Sequence, residues 1–226
     1  RNRRESRTQL GFEADDFVFC VMPGSRKSEI RRHLGLLLKA WKKYKHLARR
    51  SPKKLKAVVP LAPGWELTDL WPLVSSEHKD EVEAYLQSGE WRISGDSRSA
   101  LMASDFGWIT SGTAALEAAY YQLPHILLYK LNSFSVFVLS QVSSYFRNPD
   151  AAAGLPNILV GRKIFPELLQ NDLSYERLAI ESFELLNNEG RMYEIQKYLR
   201  WIPKKLGEPG PTARIAHELL KDWKLL

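Results

Sequence analysis

Residues 106–117 read Phe-Gly-Trp-Ile-Thr-Ser-Gly-Thr-Ala-Ala-Leu-Glu, an apolar run followed by a glycine between two hydroxyl residues. Its apolar start, Phe106–Ile109, is typical of a buried strand, and the segment from Ala114 to Tyr121 is typical of a helix. Between them lies Ser111-Gly112-Thr113, two hydroxyl side chains around a glycine. A helix N-terminus presents unpaired N–H groups that suit an anion. The stretch therefore predicts a strand, a phosphate-binding turn and a helix in succession.

The same succession occurs earlier in the chain. Asp16–Met22 is a short apolar run that ends at Pro23-Gly24, and a helix is expected from about Ser28 because apolar residues then recur every three or four positions. Gly24 permits a tight turn and close approach of the backbone to a ligand. Arg26 can add a bidentate contact to a phosphate. The alternative is an ordinary strand–helix turn with a solvent-exposed arginine.

Strand-like and helix-like segments alternate over most of the chain. Further strands are expected at Leu55–Pro60, Trp91–Ile93 and His125–Tyr129. Further helices are expected at Ser76–Ser88, at Arg98–Ala103, at Ser133–Phe146 and from Ser174 to the end, with breaks at Pro203 and at Pro209-Gly210-Pro211. This order predicts an α/β fold, a Rossmann-like doubly wound parallel sheet, in which ligands bind beyond the carboxyl ends of the strands. We assign residues 1–172 to this domain and 173–226 to a C-terminal helical extension.

Glu117 lies four residues beyond Thr113, on the same face of the expected helix. A carboxylate repels a phosphate, so binding of sugar hydroxyls explains it better, as the acidic residue of dinucleotide-binding folds holds a ribose. Two alternatives stay open at this stage: Glu117 can complement the helix dipole, and Ser111 or Thr113 can cap the helix. Two phosphate-type turns in one sheet favour a ligand site more strongly than either turn alone.

Polar residues also stand in apolar surroundings later in the chain. Asn157 and Gln170 have side chains that can read the hydrogen-bonding edge of a ligand. Glu167 is interpreted as the beginning of a helix after Pro166. The five histidines have no metal-ligand spacing, and no nucleophile–base signature is found. Phosphate-binding turns without a general base indicate the nucleotide-binding half of an active site.

Composition restricts the class of protein. The chain has 226 residues, 44% of them hydrophobic and 26% charged, and no apolar run long enough to span a membrane. Its one cysteine, Cys20, excludes an internal disulfide and fits a reducing compartment. The first residues have neither the apolar segment of a secretory signal nor an initiator Met, which favours a fragment of a longer protein.

Positive charge is concentrated near the start of the chain. Residues 1–60 contain 17 Lys and Arg against 5 Asp and Glu, whereas the net charge of the whole chain is +7. From Arg31 to Lys56 there are 11 basic residues and no acidic one. Such a block favours an anionic partner, namely phospholipid headgroups, nucleic acid or a phosphorylated substrate. The alternative is a solvated helix face.

Five short strings in a fixed order resemble lipid-A-disaccharide synthases. They are Met22-Pro23-Gly24-Ser25-Arg26 with Glu29-Ile30, Ser111-Gly112-Thr113-Ala114 with Leu116-Glu117, Pro124 with Tyr129-Lys130, Leu155-Pro156-Asn157-Ile158-Leu159, and Pro166-Glu167-Leu168-Leu169-Gln170. The resemblance covers roughly residues 7–225 and corresponds to the carboxyl-terminal part of that family. Each string alone is modest evidence, but the ordered set is specific.

The resemblance implies a GT-B glycosyltransferase, with two Rossmann-like domains and an active site between them. This family transfers 2,3-diacylglucosamine from UDP to 2,3-diacylglucosamine 1-phosphate (lipid X), with inversion, release of UDP, and no metal or other cofactor. Its carboxyl-terminal domain holds UDP, with Arg26 near the diphosphate and Glu117 on the ribose. The implied UDP-binding residues are Gly24, Ser25, Arg26, Ser111, Gly112, Thr113, Glu117 and Asn157, and further candidates are Tyr129, Lys130 and Gln170.

The resemblance also implies partners and a location. The partners are the two lipid substrates, an anionic membrane surface, an amino-terminal acceptor domain that supplies the general base and is missing here, and a second copy in a homodimer. The location is cytoplasmic, peripheral on the inner membrane of a Gram-negative-type bacterium. One departure from the family is Ala115, where a threonine is usual.

Two other classes of function remain open from the sequence. The first is another GT-B protein, such as the peptidoglycan GlcNAc transferase or a UDP-GlcNAc 2-epimerase. The second is a non-enzymatic module that binds anions or nucleic acid through its basic helix, and nucleic acid is the less favoured partner.

Overall fold

The structure, a computed structural model, describes residues 2–130 and 152–207. Within them, a parallel sheet has the strands β1 (Phe17–Met22), β2 (Leu55–Pro60), β3 (Trp91–Ser94), β4 (Phe106–Thr110), β5 (His125–Tyr129) and β6 (Glu167–Leu169). Their order across the sheet is β3-β2-β1-β4-β5-β6, and every neighbouring pair is parallel. This is the strand order of doubly wound dinucleotide-binding folds, so the predicted fold class is confirmed.

The right-handed crossovers of this order place helices on both faces of the sheet. The helices are α1 (Arg3–Leu10), α2 (Lys27–Leu47), α3 (Leu67–Leu70), α4 (Lys79–Gln87), α5 (Ser97–Ala103), α6 (Thr113–Tyr120), α7 (Leu155–Val160), α8 (Tyr175–Leu186) and α9 (Glu189–Leu206). Short 3-10 turns occur at Trp71–Leu73, Ser76–His78 and Gln170–Asp172. Among the helices described, none has the length and apolar character that crossing a membrane requires.

An aromatic cluster fixes α2 on the sheet. Trp41 of α2 contacts Phe19 of β1 edge to face, with 5.4 Å between the ring centroids, and Phe19 contacts Trp108 of β4 at 5.1 Å. All three side chains are fully buried. Each edge-to-face pair adds about 0.5–1.5 kcal/mol to the free energy gained by burial. The cluster therefore holds α2 firmly along β1 and β4, the strands whose carboxyl ends lead into the two glycine turns.

The first helix, α1, is not among the predicted elements. It packs against α5 and carries a buried arginine, Arg7, which is 6% exposed. The Arg7 guanidinium donates to the carbonyl oxygens of Ala103 at 2.9 Å and Ala14 at 2.8 Å, and to the carboxylate of Asp105 at 2.6 Å. These contacts are polar and involve residues distant in the sequence. The sequence of α1 therefore has no apolar periodicity from which the helix could be predicted.

The segment after Pro166 forms a strand, so the interpretation of Glu167 as the beginning of a helix is wrong. Glu167 is the first residue of β6, which pairs with β5. Its carboxylate accepts hydrogen bonds from the backbone amides of Ala153 at 3.1 Å and Gly154 at 2.8 Å. These bonds, together with the pairing to β5, hold the segment extended.

Pro203 lies inside α9 and does not break it, contrary to the prediction. Since α9 ends at Leu206, the proline removes one helical hydrogen bond close to the end of the helix, where the loss is tolerated. The other predicted break, Pro209-Gly210-Pro211, and the predicted helix Ser133–Phe146 lie outside the described residues.

The helix α8 shares the core of the sheet domain. It packs against α2, and Ser182 Oγ accepts a hydrogen bond from Trp108 Nε1 at 2.8 Å in the buried interior. The domain boundary between residues 172 and 173, and the packing of 173–226 on another domain, stay predictions.

Candidate functional site

The two glycine turns leave the sheet next to each other at its carboxyl edge. β1 and β4 are neighbours, with Met22 opposite Ile109, and adjacent strands lie about 4.8 Å apart. The hydroxyl of Thr110, at the end of β4, donates to the carbonyl oxygen of Met22 at 2.8 Å. The structure thereby brings the two predicted phosphate turns, 23–26 and 111–113, to one place.

The first turn depends on a glycine. Gly24 has a φ of 126°, a conformation that side chains disfavour. Glu29 Oε2 accepts hydrogen bonds from the backbone amides of Ser25 at 2.9 Å and Arg26 at 3.3 Å. A Cβ on Gly24 would lie 2.6 Å from that oxygen, so a larger residue does not fit. Two N–H groups thus converge on one anionic oxygen, which is the arrangement that a phosphate oxygen requires.

Arg26 precedes α2 and extends into solvent. Its side chain is 80% exposed and pairs with the Glu29 carboxylate at 3.3 Å. Exposed ion pairs of this kind contribute only about 0–1 kcal/mol to stability. The guanidinium can therefore exchange this contact for a phosphate at little cost.

Two further residues of α2 position this edge of the sheet, and sequence reasoning did not single them out. His33 Nδ1 lies 2.9 Å from the carbonyl oxygen of Pro23, and the side chain is 1% exposed. Burial lowers the pKa of His33, so the ring is neutral and Nδ1 carries the proton that it donates. Arg32 Nη1 donates to the carbonyl oxygen of Lys130 at 2.6 Å. The only sequence signal for this role is a histidine on the apolar face of α2.

The second turn leaves its hydroxyl groups uncommitted. Gly112 is the N-cap of α6 and has a φ of 149°, and no side-chain capping bond is formed. Within the described residues, the Ser111 and Thr113 hydroxyls make no hydrogen bond, so the capping alternative does not describe this turn. The backbone amide of Ser111 donates to Leu128 at 2.7 Å, which fixes the turn to β5. Ala115, the departure from the family, is fully buried and faces the protein interior.

Glu117 lies beyond the first turn of α6, where the helix dipole has little effect. Its carboxylate accepts a hydrogen bond from the Ser97 hydroxyl at 3.0 Å. Burial, and after it the negative charge of Glu117, raise the pKa of the Cys20 thiol in β1. A carboxylate that is held by a hydroxyl of α5 is better suited to binding ligand hydroxyls than to stabilising its own helix.

The other candidates lie along the same edge. Tyr129 ends β5 and stands opposite Leu169 of β6, so Lys130 and Gln170 leave the sheet side by side. Gln170 has a φ of 49°, which is uncommon for a residue other than glycine. Its Nε2 is buried and has no hydrogen-bond partner among the described residues. A buried donor without a partner points to a ligand or a water molecule at this position.

Asn157 has a structural role. It is fully buried, its Oδ1 accepts from the amides of Ile164 at 2.8 Å and Phe165 at 2.9 Å, and its Nδ2 donates to Glu167 Oε1 at 2.8 Å. Every polar atom of the side chain is therefore engaged in holding the loop before β6. Direct contact of Asn157 with a nucleotide stays a prediction that requires this network to open.

Metal ligands are not clustered at this edge. Across residues 2–130 and 152–207, no group of three or more His, Cys, Asp or Glu side chains is placed to hold a metal ion. The site as described consists of backbone amides, hydroxyls, one exposed arginine and two carboxylates, Glu29 and Glu117. The amides, hydroxyls and arginine suit a nucleoside diphosphate.

Two comparisons of the sequence point to the same family. The family model for lipid-A-disaccharide synthetase matches residues 1–210. The lipid-A-disaccharide synthase of Anaeromyxobacter sp. (strain K) is 34% identical over 214 residues, which are 95% of this chain and 51% of the relative. That of Syntrophus aciditrophicus (strain SB) is 30% identical over 215 residues, 95% of this chain and 52% of the relative. The chain thus spans about half the length of the curated relatives that it matches, in their carboxyl-terminal part.

Similar structures support the fold. The calicheamicin glycosyltransferase CalG4 matches with a TM-score of 0.52 and 15% identity, over 92% of this chain and 42% of that protein. The H444N variant of the wall teichoic acid polymerase TagF matches with a TM-score of 0.52 and 11% identity, over 97% of this chain and 47% of that protein. The predicted half of a GT-B fold is confirmed.

Proposed function

We propose, since the chain belongs to the lipid-A-disaccharide synthetase family, that it is the UDP-binding half of an inverting glycosyltransferase. The proposed reaction transfers 2,3-diacylglucosamine from UDP to 2,3-diacylglucosamine 1-phosphate and releases UDP. It requires neither a metal nor another cofactor. The proposed location is the cytoplasmic face of the inner membrane, on an anionic surface.

One observation carries the proposal: the hydrogen bond between Thr110 and Met22 brings the two glycine turns together. The amides of the first turn converge on one anionic oxygen, and the hydroxyls of the second are uncommitted within the described residues. Two turns of this kind suit two adjacent phosphates better than one anion. A nucleoside diphosphate carries two such phosphates.

Each side chain has a separate task in the proposed reaction. Arg26 and the amides of Ser25 and Arg26 exchange the Glu29 carboxylate for the diphosphate, and they then stabilise the negative charge that develops on it as it departs. Glu117 accepts hydrogen bonds from the ribose hydroxyls, and Ser97 holds its carboxylate in place. The proton of the acceptor hydroxyl goes to a base supplied from outside these turns.

Replacement of Arg26 by alanine tests the site directly. Arg26→Ala is expected to weaken UDP binding by about 1.5–3 kcal/mol, roughly 10- to 150-fold, the contribution of a hydrogen bond to a charged group. Titration calorimetry with UDP and UMP measures the loss. The matched control is Arg31→Ala, which removes the same charge from an exposed position one turn further along α2. Equal UDP affinity in Arg26→Ala and the unmodified chain would remove Arg26 from the site.

Glu117→Gln distinguishes ribose binding from a role in the helix. The change keeps the size of the side chain but weakens hydrogen bonds from ribose hydroxyls, so UDP affinity is expected to fall by about 1 kcal/mol, roughly fivefold. The affinity for 2′,3′-dideoxy-UDP is expected to stay within about twofold, since that ligand has no hydroxyls to lose. Ser97→Ala, which frees the Glu117 carboxylate, is expected to have an effect of the same kind but smaller. Equal losses for both ligands would show that Glu117 acts only on its helix.

The two rival functions predict different binding behaviour. A nucleic-acid-binding module would have a steep salt dependence and no preference for UDP over other nucleotides. Membership of the synthetase family favours neither that module nor the other GT-B enzymes. A preference for UDP that persists in 200 mM salt is the expected result.

A further inference from the structure

A cavity lies at the amino-terminal edge of the sheet, opposite the edge that carries the glycine turns. It has a volume of about 660 Å³ and opens between the end of α2, the end of α8 and the first residues of β1 and β2. We call it the amino-edge trough. Its floor is formed by Phe17, Tyr44, Leu47, Leu55, Phe183 and Leu186, and its rim by Arg49, Arg50 and Lys53. The volume is in the range of ligand-binding cavities, about 300–1,000 Å³.

The rim of the trough is strongly basic. An adjoining cavity of about 390 Å³ shares Arg49 and Lys53 with it and adds Lys54 to the same wall. Glu90 is the acidic side chain that lines the adjoining cavity, and it is bound by Lys45 at 2.7 Å and by Trp41 Nε1 at 2.6 Å. Its charge is therefore already compensated. On the other side, Lys53 also lines a cavity with Asp15, Asp16 and Asp105, of which Asp105 is paired with Arg3 and Arg7.

Elsewhere in the basic stretch 31–56, cations are paired with acidic side chains. Lys42 pairs with Glu81 at 2.9 Å, and Lys39 lies 4.0 Å from Glu77, so acidic residues around α4 neutralise the middle of α2. By contrast, four exposed cations at the end of the stretch form no ion pair within the described residues. These four are Arg49, Arg50, Lys53 and Lys54. The uncompensated charge of the stretch is thus gathered at the trough.

The floor of the trough is apolar and recessed. Phe17, Leu47 and Leu186 are half-buried, and Lys53 Nζ lies 5.6 Å from the centre of the Phe17 ring. A free phosphate would use the cations and leave this floor unused. Nucleic acid bases stack on open aromatic faces, whereas Lys53 Nζ lies over the Phe17 ring and Tyr44 is only 5% exposed. Cations around a hydrocarbon floor match a ligand that has both a phosphate and an acyl chain.

We propose that the amino-edge trough binds an anionic phospholipid of the membrane surface. Arg49, Arg50 and Lys53, together with Lys54 of the adjoining wall, hold the headgroup phosphate. The start of one acyl chain lies on Phe17, Leu47 and Leu186. The proposal specifies how the chain would contact the anionic membrane surface, and in this respect it rests on the proposed function. The trough and the glycine turns lie at opposite ends of β1, so the phospholipid and UDP bind independently.

Vesicle binding tests the cations. The full chain is sedimented with vesicles of 30% phosphatidylglycerol in phosphatidylcholine, and Arg50→Gln/Lys54→Gln is expected to lower the partition coefficient about 30-fold, since each cation near such a surface contributes roughly a factor of five. The control, Lys39→Gln/Lys42→Gln, removes two charges from the same stretch where they are ion-paired, and is expected to change it less than about threefold. Equal losses in the two double variants would overturn the assignment to the trough.

Two ligands separate the apolar floor from the charge. Monomeric dihexanoylphosphatidylglycerol is expected to bind at least about tenfold more tightly than its headgroup, glycerophosphoglycerol, because only the lipid buries hydrocarbon. Equal affinities for the lipid and its headgroup would show a site for phosphate alone and would overturn the phospholipid proposal. The proposal would also be overturned if single-stranded RNA bound more tightly than the lipid and if Arg50→Gln/Lys54→Gln abolished that binding. UDP titrations of Arg50→Gln/Lys54→Gln are expected to match the unmodified chain. Absence of UDP binding in the unmodified chain and in all variants would count against the proposed function. Competition between UDP and the lipid would count against the assignment of the lipid to the amino-edge trough.

Discussion

The 226-residue chain alone is expected to bind UDP and to form no detectable disaccharide from UDP-2,3-diacylglucosamine and 2,3-diacylglucosamine 1-phosphate. Inverting transfer needs a base that removes the proton from the acceptor hydroxyl while UDP departs. The two carboxylates at the glycine turns are already engaged: Glu29 binds the amides of Ser25 and Arg26, and Glu117 binds Ser97. Neither is placed to act as that base.

The second reason why the chain alone is expected to form no disaccharide is that it does not position the acceptor against the donor. Holding two reactants in the correct geometry lowers the barrier by about 7–11 kcal/mol. The chain spans about half the length of its relatives, and the acceptor is proposed to bind in the other half. Mass spectrometry of the lipid products measures turnover, and UDP calorimetry on the same sample shows that the chain is folded. Addition of the amino-terminal half of a relative, in trans or by fusion, is expected to restore some rate. Disaccharide formed by the chain alone would place a base within it and refute this division of roles.

Arg7→Met is expected to destabilise the fold by about 3–5 kcal/mol, the usual effect of removing one partner of a buried ion pair. Arg7 is almost fully buried, and its guanidinium binds three backbone carbonyl oxygens and the Asp105 carboxylate within 3.1 Å. The variant leaves the three carbonyl oxygens without this donor, whereas the Asp105 carboxylate keeps its bonds from Arg3 and from the amide of Val18. It also removes the buried contact between α1 and the residues just before β4. For a domain of this size the midpoint of thermal unfolding is expected to fall by roughly 6–20 °C.

Urea unfolding followed by far-UV circular dichroism measures this change. Arg4→Met is the matched control, because Arg4 lies on the same helix, carries the same charge and is exposed. The control is expected to change the free energy of unfolding by less than about 0.5 kcal/mol. If Arg7→Met does not fold, Arg7→Lys keeps the charge but loses the fork of donors, and a smaller loss of stability is expected. Stabilities of Arg7→Met and Arg4→Met that agree would contradict a structural role for the buried guanidinium.

The sheet and its turns could be predicted from the sequence because their signals are local. Leu55–Pro60 and His125–Tyr129 are apolar runs bounded by breakers, and the structure gives both strands the predicted limits. Likewise, a glycine between a predicted strand and a predicted helix indicates each of the two turns. Gly24 and Gly112 both adopt a positive φ, which is the property that the sequence pattern exploits.

The elements that could not be predicted depend on distant partners. The helix α1 is held by Arg7, whose acceptors are supplied by residues 103–105 and by the loop before β1. The extended state of Glu167 requires the amides of Ala153 and Gly154. The hydrogen bonds that Asn157 Oδ1 accepts from the amides at 164–165 likewise cannot be predicted from its apolar sequence neighbours. No local pattern records such long-range hydrogen bonds.

The burial of Cys20 makes the chain a convenient host for chemical labels. It is the one cysteine in the sequence, it has no exposed surface within β1, and the pKa of its thiol is raised. Since the thiolate is the reactive form, maleimide dyes will leave it unmodified. A cysteine introduced at Arg31 or at Lys54, both exposed, would carry the dye alone. Fluorescence at the first would report events at the nucleotide edge, and fluorescence at the second would report events at the trough, without removal of the native thiol.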